Sequence, residues 1–300
     1  MSAALIGFDW GTTNLRAALL DADGNVLEQR VGESGVGLID ADAFARRFDE
    51  QTAGWPPLPA VLAGMVGSAQ GWRDAGYVAA PARTDDLAER MTVFEHGGRP
   101  VAVVPGISLS DERPDVMRGE ETQIAGLLAR RPHFEGTVVL PGTHSKWVRV
   151  EDGTVRSFHT YMTGDLFEAI GKGTILRHSV GVGNAAPDLF RDAFASAFER
   201  GRSVWGQLFA IRAATLLHGA SPAEGREKLS GFLIGAEFAA ARADGYLEER
   251  ADRLTLIGSG ALVERYRQAT QLADVDALAY QGTPLVWTAL VMLAKRKGLT

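Results

Sequence analysis

The chain contains no cysteine, which removes disulfides, thiolate metal sites and cysteine nucleophiles together. It has no run of 18 apolar residues, so no membrane-spanning helix is expected, and Met1–Phe8 lacks the basic start of a secretory leader. Cationic excess is missing as well. Lys and Arg number 31 against 37 Asp and Glu, a formal charge of −6 that gives no basic field for nucleic acid or an anionic membrane. There is no P-loop ending in GK[ST], no G-x-S-x-G elbow and no HExxH, so hydrolase and dehydrogenase readings lack their motifs. These absences lead to the expectation of a soluble, cytoplasmic chain without nucleic-acid or membrane partners. Its 300 residues suggest two domains.

Glycine is what the sequence has in excess: 35 of 300 residues, where ~7% is usual. The glycines cluster beside apolar runs, where tight turns and close ligand approach require them. Two such regions match element for element. Ala4–Trp10 is apolar, Gly11-Thr12-Thr13 turns, Leu15–Leu20 is apolar, Asp21-Ala22-Asp23-Gly24 turns, and Asn25–Val31 alternates. Thr137–Leu140, Gly142-Thr143, Lys146–Val150, Glu151-Asp152-Gly153 and Thr154–Phe158 repeat the series. The economical reading is a duplicated three-stranded core, each copy opening with a Gly-Thr turn.

The remaining pattern predicts helices over Asp40–Thr52, Val116–Arg131, Arg191–Leu217, Glu224–Arg242, Ala261–Gln271 and Thr283–Arg296. Short strands are predicted over Pro59–Val66, Pro100–Pro105 and Leu254–Ile257, with Pro187 and Pro222 marking loops.

Asp9 at a strand end, followed by Gly11, Thr12 and Thr13, can aim backbone N–H groups and hydroxyls at a phosphate, while the carboxylate organises Mg²⁺ through water. A polar hairpin whose Asp caps its own turn is the commoner meaning of one such stretch. The second turn, with Gly142, Thr143, His144 and Lys146, supplies a cation and no acid, an asymmetry suited to a nucleotide clamped between two domains. Gly258-Ser259-Gly260 lets a base or phosphate approach the backbone closely. Glu120 and Glu121 open a predicted helix, where a pair of acids is often only a partner of the helix dipole. A functional Glu there would accept the proton of an attacking hydroxyl. Phosphoryl transfer tolerates a weak base, since positioning and charge neutralisation carry most of the catalysis.

The order of these elements resembles the actin-like, hexokinase and heat-shock ATPase superfamily: two phosphate hairpins, an adenosine motif at Leu256–Ala261, and connecting helices at Val116–Arg131 and Thr283–Arg296. The segments IGFDWGTTNLRA (Ile6–Ala17), AGMVGSAQGW (Ala63–Trp72), VMRGEETQ (Val116–Gln123), PGTHSKWV (Pro141–Val148) and LSGFLIGAE (Leu229–Glu237) narrow this. Together they resemble the 2-dehydro-3-deoxygalactonokinase family.

The resemblance implies an α/β chain of two ribonuclease-H-like cores around a nucleotide cleft, the actin-like ATPase fold. Domain I would span 1–115 with helix 283–298 returning to it, and domain II 116–282. The implied reaction is ATP-dependent phosphorylation of 2-dehydro-3-deoxy-D-galactonate at its 6-hydroxyl, in galactonate catabolism. Closure over sugar and ATP would exclude water. By the same resemblance Asp9 organises Mg²⁺, Gly11, Thr12 and Thr13 lie along the phosphates, and Gly142, Thr143 and His144 hold the other side with Lys146 nearby. Gly258, Ser259 and Gly260 line the adenosine, and the family's catalytic acid falls on Glu120 or Glu121. Ser34, Gly35, Ser68 and Gln70 are candidates for the sugar acid, with Arg16 and Arg118 as candidate partners of its carboxylate. Trp72 reads more readily as core than as a sugar platform, and Thr163-Gly164-Asp165 is a further candidate in the second half. A kinase of the same fold acting on another sugar acid, such as 2-dehydro-3-deoxygluconate, is the alternative. A nucleotide-switched regulator and a phosphatase are more distant ones. Oligomeric state is open, a homodimer being one option.

Overall fold

The structure is a computed structural model that describes residues 2–40, 42–186, 188–199, 203–248 and 253–300. The chain opens with β1 (Ala3–Trp10), β2 (Leu15–Asp21), β3 (Val26–Gly32), α1 (Phe44–Thr52), β4 (Ala60–Ala63) and β5 (Tyr77–Ala79). It continues with α2 (Thr84–Arg90), β6 (Thr92–His96), β7 (Arg99–Val103), β8 (Gly106–Leu109), β9 (Asp115–Met117) and α3 (Glu120–Arg130). A second series follows: β10 (Gly136–Leu140), β11 (Ser145–Glu151), β12 (Thr154–Tyr161), α4 (Thr163–Gly173), α5 (Asp188–Phe198), α6 (Val204–His218) and α7 (Pro222–Ala243). The last elements are β13 (Leu254–Gly258), α8 (Gly260–Leu272), β14 (Ala277–Gln281) and α9 (Gly282–Lys297).

The duplication holds at the level of strand order. One sheet runs β3-β2-β1-β4-β7-β6 and the other β12-β11-β10-β13-β14. In both, the first three strands lie 3-2-1 and the fourth joins beside the first, parallel to it (β1 with β4, β10 with β13). β4 carries only buried apolar side chains, as expected of a parallel central strand covered on both faces.

Two compact units result: residues 1–135 with 149–158 and 281–300, and residues 136–148 with 159–280. The division falls after Glu135 rather than at 115/116, which puts α3 with the first unit. Its Gly126 explains why: a Cβ there would lie 2.0 Å from the Leu285 carbonyl of α9, so the two helices meet backbone to backbone. In the first unit, Phe8, Trp10, Phe44 and Phe48 form the aromatic centre of the core. In the second unit Phe190, Phe194, Trp147, Phe238 and Tyr266 do so. Gly231 and Gly235 of α7 face the Phe190 and Phe194 carbonyls of α5, where a Cβ would come within 2.6 Å. These are the helix-packing glycines of the LSGFLIGAE segment.

Three local readings need correction. The helix predicted from Val116 begins only at Glu120, because Asp115–Met117 pair with β8 and Gly119, at φ 104°, breaks the path between strand and helix. Pro222 is no loop marker. It is the first residue of α7, behind the N-cap Ser221 and a reciprocal Ser221–Glu224 capping box. The helix expected over Arg191–Leu217 is seen as α5 and α6, with 200–202 outside the described residues; Pro187 lies outside them too.

Candidate active site

In the first unit the expected residues converge at the carboxyl ends of parallel strands, the usual ligand edge of an open α/β sheet. Asp9, next to last in β1, lies opposite Ala63, the last residue of β4. Gly64 follows so closely that a Cβ on it would sit 2.8 Å from the Trp10 carbonyl, and Gly119 stacks on Gly64 in turn. Asp9, the 64–71 loop and the start of α3 therefore form one surface. Burial pushes the Asp9 carboxyl upward, against the pull of Arg16, whose guanidinium lies 3.2 Å away across the β1–β2 ladder. Arg16 is thus engaged as the ion-pair partner of Asp9.

The hairpin after Asp9 is held from behind. Gly35, Val36 and Gly37 donate their N–H groups to the carbonyls of Thr13, Gly11 and Thr12, at 2.9–3.0 Å. The Gly11 N–H bonds the Asn14 carbonyl, and the Trp10 indole bonds the Ser34 carbonyl. A Cβ on Gly35 would strike the Thr12 carbonyl at 2.3 Å, so only glycine permits this contact. Ser34 and Gly35 hold the turn in place, and Thr12, Thr13 and Asn14 are left exposed.

Glu120 and Glu121 differ sharply. Glu120 is half-buried, and one of its carboxylate oxygens accepts the Arg118 N–H at 3.0 Å. Glu121 is sealed in the core, accepting the Gly119 N–H at 2.5 Å and the Thr122 hydroxyl at 3.0 Å. Burial, and then the charge of Glu120, push the Glu121 carboxyl up to about 8. Its folded pKa exceeds its unfolded one, so the native state holds the extra proton and stability falls as pH rises from about 4.5 toward 8. Glu121→Gln is expected to flatten the thermal-unfolding midpoint across pH 5–8 and to raise it at pH 8; an unchanged slope would contradict this placement.

Arg118 and Ser68 carry unused polar atoms. The Arg118 guanidinium is fixed by one bond to the Gly76 carbonyl, at 2.8 Å, and by the Tyr77 ring 4.4 Å away. Its Nε and Nη1 are buried without hydrogen-bond partners, as is the Ser68 hydroxyl. Such donors are costly to leave unmade. Gln70 is exposed on the same loop. Trp72 packs on Phe48, Phe94 and His96, and belongs to the core.

In the second unit a cavity of about 410 Å³ opens beside the second hairpin. Gly142 and Thr143 line it with Thr163, Gly164 and Phe167 of α4, Ser230 and Leu233 of α7, and Arg265 and Tyr266 of α8. The size suits a nucleoside-sized ligand. The Asp165 N–H bonds the Thr143 carbonyl, and a Cβ on Gly164 would fall 2.5 Å from the Gly142 carbonyl, so α4 props the hairpin as the 34–37 loop props the first. Exposed His144 faces Asp165 at 3.4 Å. Lys146 is buried within β11 and is not among the lining residues. Gly258-Ser259-Gly260 forms the turn from β13 into α8, and Ala261 and Leu262, which follow it, reach the cavity wall.

Sequence reasoning missed the buried network behind Thr163 and Tyr266 of this cavity's wall. Glu237 of α7 is buried and accepts hydrogen bonds from the Trp147 indole (2.7 Å) and the Tyr266 hydroxyl (2.6 Å), with Thr163 and Ser145 bonding the same carboxyl. The Ser145 and Tyr266 oxygens are 2.7 Å apart. Burial pushes the Glu237 carboxyl up to about 7 despite four hydrogen bonds that favour its charge. Arg265 is clamped by two bonds to Glu227, at 2.7 and 2.8 Å, and lies over the Phe190 ring. The signal for this network was the LSGFLIGAE segment, which ends on Glu237. A larger hollow of about 550 Å³ along α9 in the first unit is lined by none of the candidate site residues.

The repeated strand order and the two buttressed turns define an actin-like ATPase fold. The same fold is seen in the activator of 2-hydroxyisocaproyl-CoA dehydratase from Clostridium difficile, solved with bound ADPNP; it is 10% identical, with a TM-score of 0.53 over 99% of this chain and 96% of that one. Within that class, residues 9–293 match the family model of 2-keto-3-deoxy-galactonokinase, and the chain belongs to that family. The 2-dehydro-3-deoxygalactonokinase of Escherichia coli (strain K12) is 38% identical over 289 residues, covering 94% of each chain. A crystal structure from Sinorhizobium meliloti, assigned as a 2-dehydro-3-deoxygalactonokinase protein, is 37% identical and superposes with a TM-score of 0.91 over 97% of this chain and 98% of that one. No helix among the described residues is long and apolar enough to cross a membrane.

Proposed function

We propose that the chain transfers the γ-phosphoryl group of ATP to the 6-hydroxyl of 2-dehydro-3-deoxy-D-galactonate, giving the 6-phosphate and ADP, in cytoplasmic galactonate catabolism. The observation that carries the assignment of roles is the split between the two acids that open α3: one reaches the surface shared with Asp9, and its neighbour is locked in the core. Glu120 is therefore the base. It takes the proton of the 6-hydroxyl as that oxygen bonds the γ-phosphorus and the bond to ADP breaks.

In the first unit the exposed Thr12, Thr13 and Asn14 serve a phosphate; in the second the 410 Å³ cavity, with Gly142 and Thr143 in its wall, takes the adenosine. Mg²⁺ prefers one or two carboxylates supplemented by water and phosphate oxygens. Asp9 offers one carboxylate, and no group of three His, Asp or Glu side chains among the described residues could cage a metal, so this donor set fits an ion held chiefly through the nucleotide. When bound, the ion would neutralise phosphate charge.

The unpaired Arg118 nitrogens and the Ser68 hydroxyl supply the cation and the donor that a sugar-acid carboxylate needs. Arg118→Ala is expected to raise KM for the sugar acid by roughly 30-fold or more, the loss of a buried charge-assisted contact, while KM for ATP stays near normal. Equal losses for both substrates would remove this role. The reaction itself is tested by coupled ADP release with the galacto and gluco epimers at matched concentration. Preference for the gluco epimer would assign the alternative substrate, and release independent of either acid would overturn the kinase reading.

A further inference from the structure

The α6 helix carries a largely exposed apolar face among the described residues. At 100° per residue, Trp205, Leu216, Phe209, Ala213, Leu217 and Ala210 fall within one arc of about 140°. Trp205 is 71% exposed, Phe209 66%, Leu216 63% and Leu217 75%, the densest group of large exposed apolar side chains among the described residues. The opposite side of the helix buries Ile211, with Val204 and Leu208, against the cluster that includes Leu229 and Phe232 of α7. The helix is therefore docked on its own unit by one face and bare on the other. Single exposed apolar residues are ordinary, but a contiguous patch of several hundred Å² marks an interaction site.

We infer that this face pairs with the same face of a second copy of the chain. Three features select that occupant. The arc holds no charged residue, so it offers nothing to steer or match a charged partner; Arg212, the helix's one cation beside His218, reaches back toward Ser179 at 3.4 Å. The surface is also divided into bulk and space. In the first turns Trp205 and Phe209 stand beside the small Gly206 and Ala210, Leu216 and Leu217 stand two turns further on, and a Cβ on Gly206 would meet nothing within 4 Å. A two-fold axis through such a face sets large side chains against small ones, as isologous packing requires. The third feature is area. With ~150–250 Å² per aromatic side chain, the four large residues expose on the order of 500 Å². Two copies would then bury about 1,000 Å² from these side chains alone, near the ~1,200 Å² at which stable interfaces begin once the helix's smaller residues are added.

The test is the mass of the full chain by sedimentation or light scattering, from low to high micromolar protein. The expected result is a particle of twice 32.1 kDa for the unaltered chain. Trp205→Glu and, separately, Leu217→Glu should each return it to the monomer mass at working concentrations, weakening association at least ~30-fold, the effect of losing one interface anchor. Both sites are exposed, so far-UV circular dichroism should not change and the variants should still unfold cooperatively, at a midpoint that no longer depends on protein concentration, which separates loss of pairing from loss of fold. A monomer at every concentration, or a dimer that survives both substitutions, would overturn the proposal.

Discussion

Glu120→Gln is expected to lower kcat by about 10²–10⁴-fold, the usual contribution of a positioned base, with ATP binding unchanged. The amide keeps the size of the side chain and can still accept the Arg118 N–H through its oxygen, so the start of α3 should stay in place. What is lost is a site for the proton of the attacking hydroxyl. Glu121→Gln gives the contrast. Its carboxyl is sealed away from ligands and bonded to Gly119 and Thr122, so turnover should fall far less than with Glu120→Gln. Steady-state kinetics of the pair, with nucleotide affinity measured separately, decides between them. If Glu121→Gln is the severely impaired variant and Glu120→Gln is near normal, the roles are reversed.

Glu237→Leu is the second large effect. The substitution orphans the Trp147 indole N–H and leaves the Tyr266 hydroxyl with Ser145 alone, in side chains with almost no exposure. An orphaned buried donor costs about 1–3 kcal/mol. At ~2–4 °C per kcal/mol for a unit of this size, the unfolding midpoint should fall by roughly 5 °C. Tyr266 and Thr163 also line the cavity, so KM for ATP should rise while KM for the sugar acid stays nearly constant. Glu237→Gln keeps an acceptor oxygen and should restore much of the stability. A fully stable Glu237→Leu protein with normal ATP kinetics would show that the network holds neither the fold nor the pocket.

Much of this architecture could be read from the chain because its signals are local. Asp-Gly turns, alternating strands and Gly-Thr hairpins repeat within a short span, and the repeat alone revealed the duplicated core. The small β5-β8-β9 sheet could not be read in this way. Its strands are three or four residues long, too short for a period, and Val116–Met117 look helical until β8 pairs with them. The cavity was hidden for a different reason: Phe167, Ser230 and Arg265 come from three helices and share no spacing. Glu120 and Glu121 were indistinguishable as letters, since only the direction in which α3 leaves Gly119 decides which one is buried. Arg16 and Arg118 looked equivalent as cations. The β1–β2 register commits the first to Asp9, while the second keeps two nitrogens unspent.

The loop behind the first hairpin does more than steady it. The carbonyls of Gly11, Thr12, Thr13 and Asn14 all accept hydrogen bonds from within the chain. The turn therefore has one lone pair of each of these four carbonyls engaged. A bare cation finds fewer free acceptors there than in an unbraced turn, which tips the balance of the turn toward anions. The polarity of this end of the sheet is thus set by the bonding direction of three residues of main chain, Gly35 to Gly37. Moving that segment away would convert a turn that sorts ligands by sign into one that accepts either.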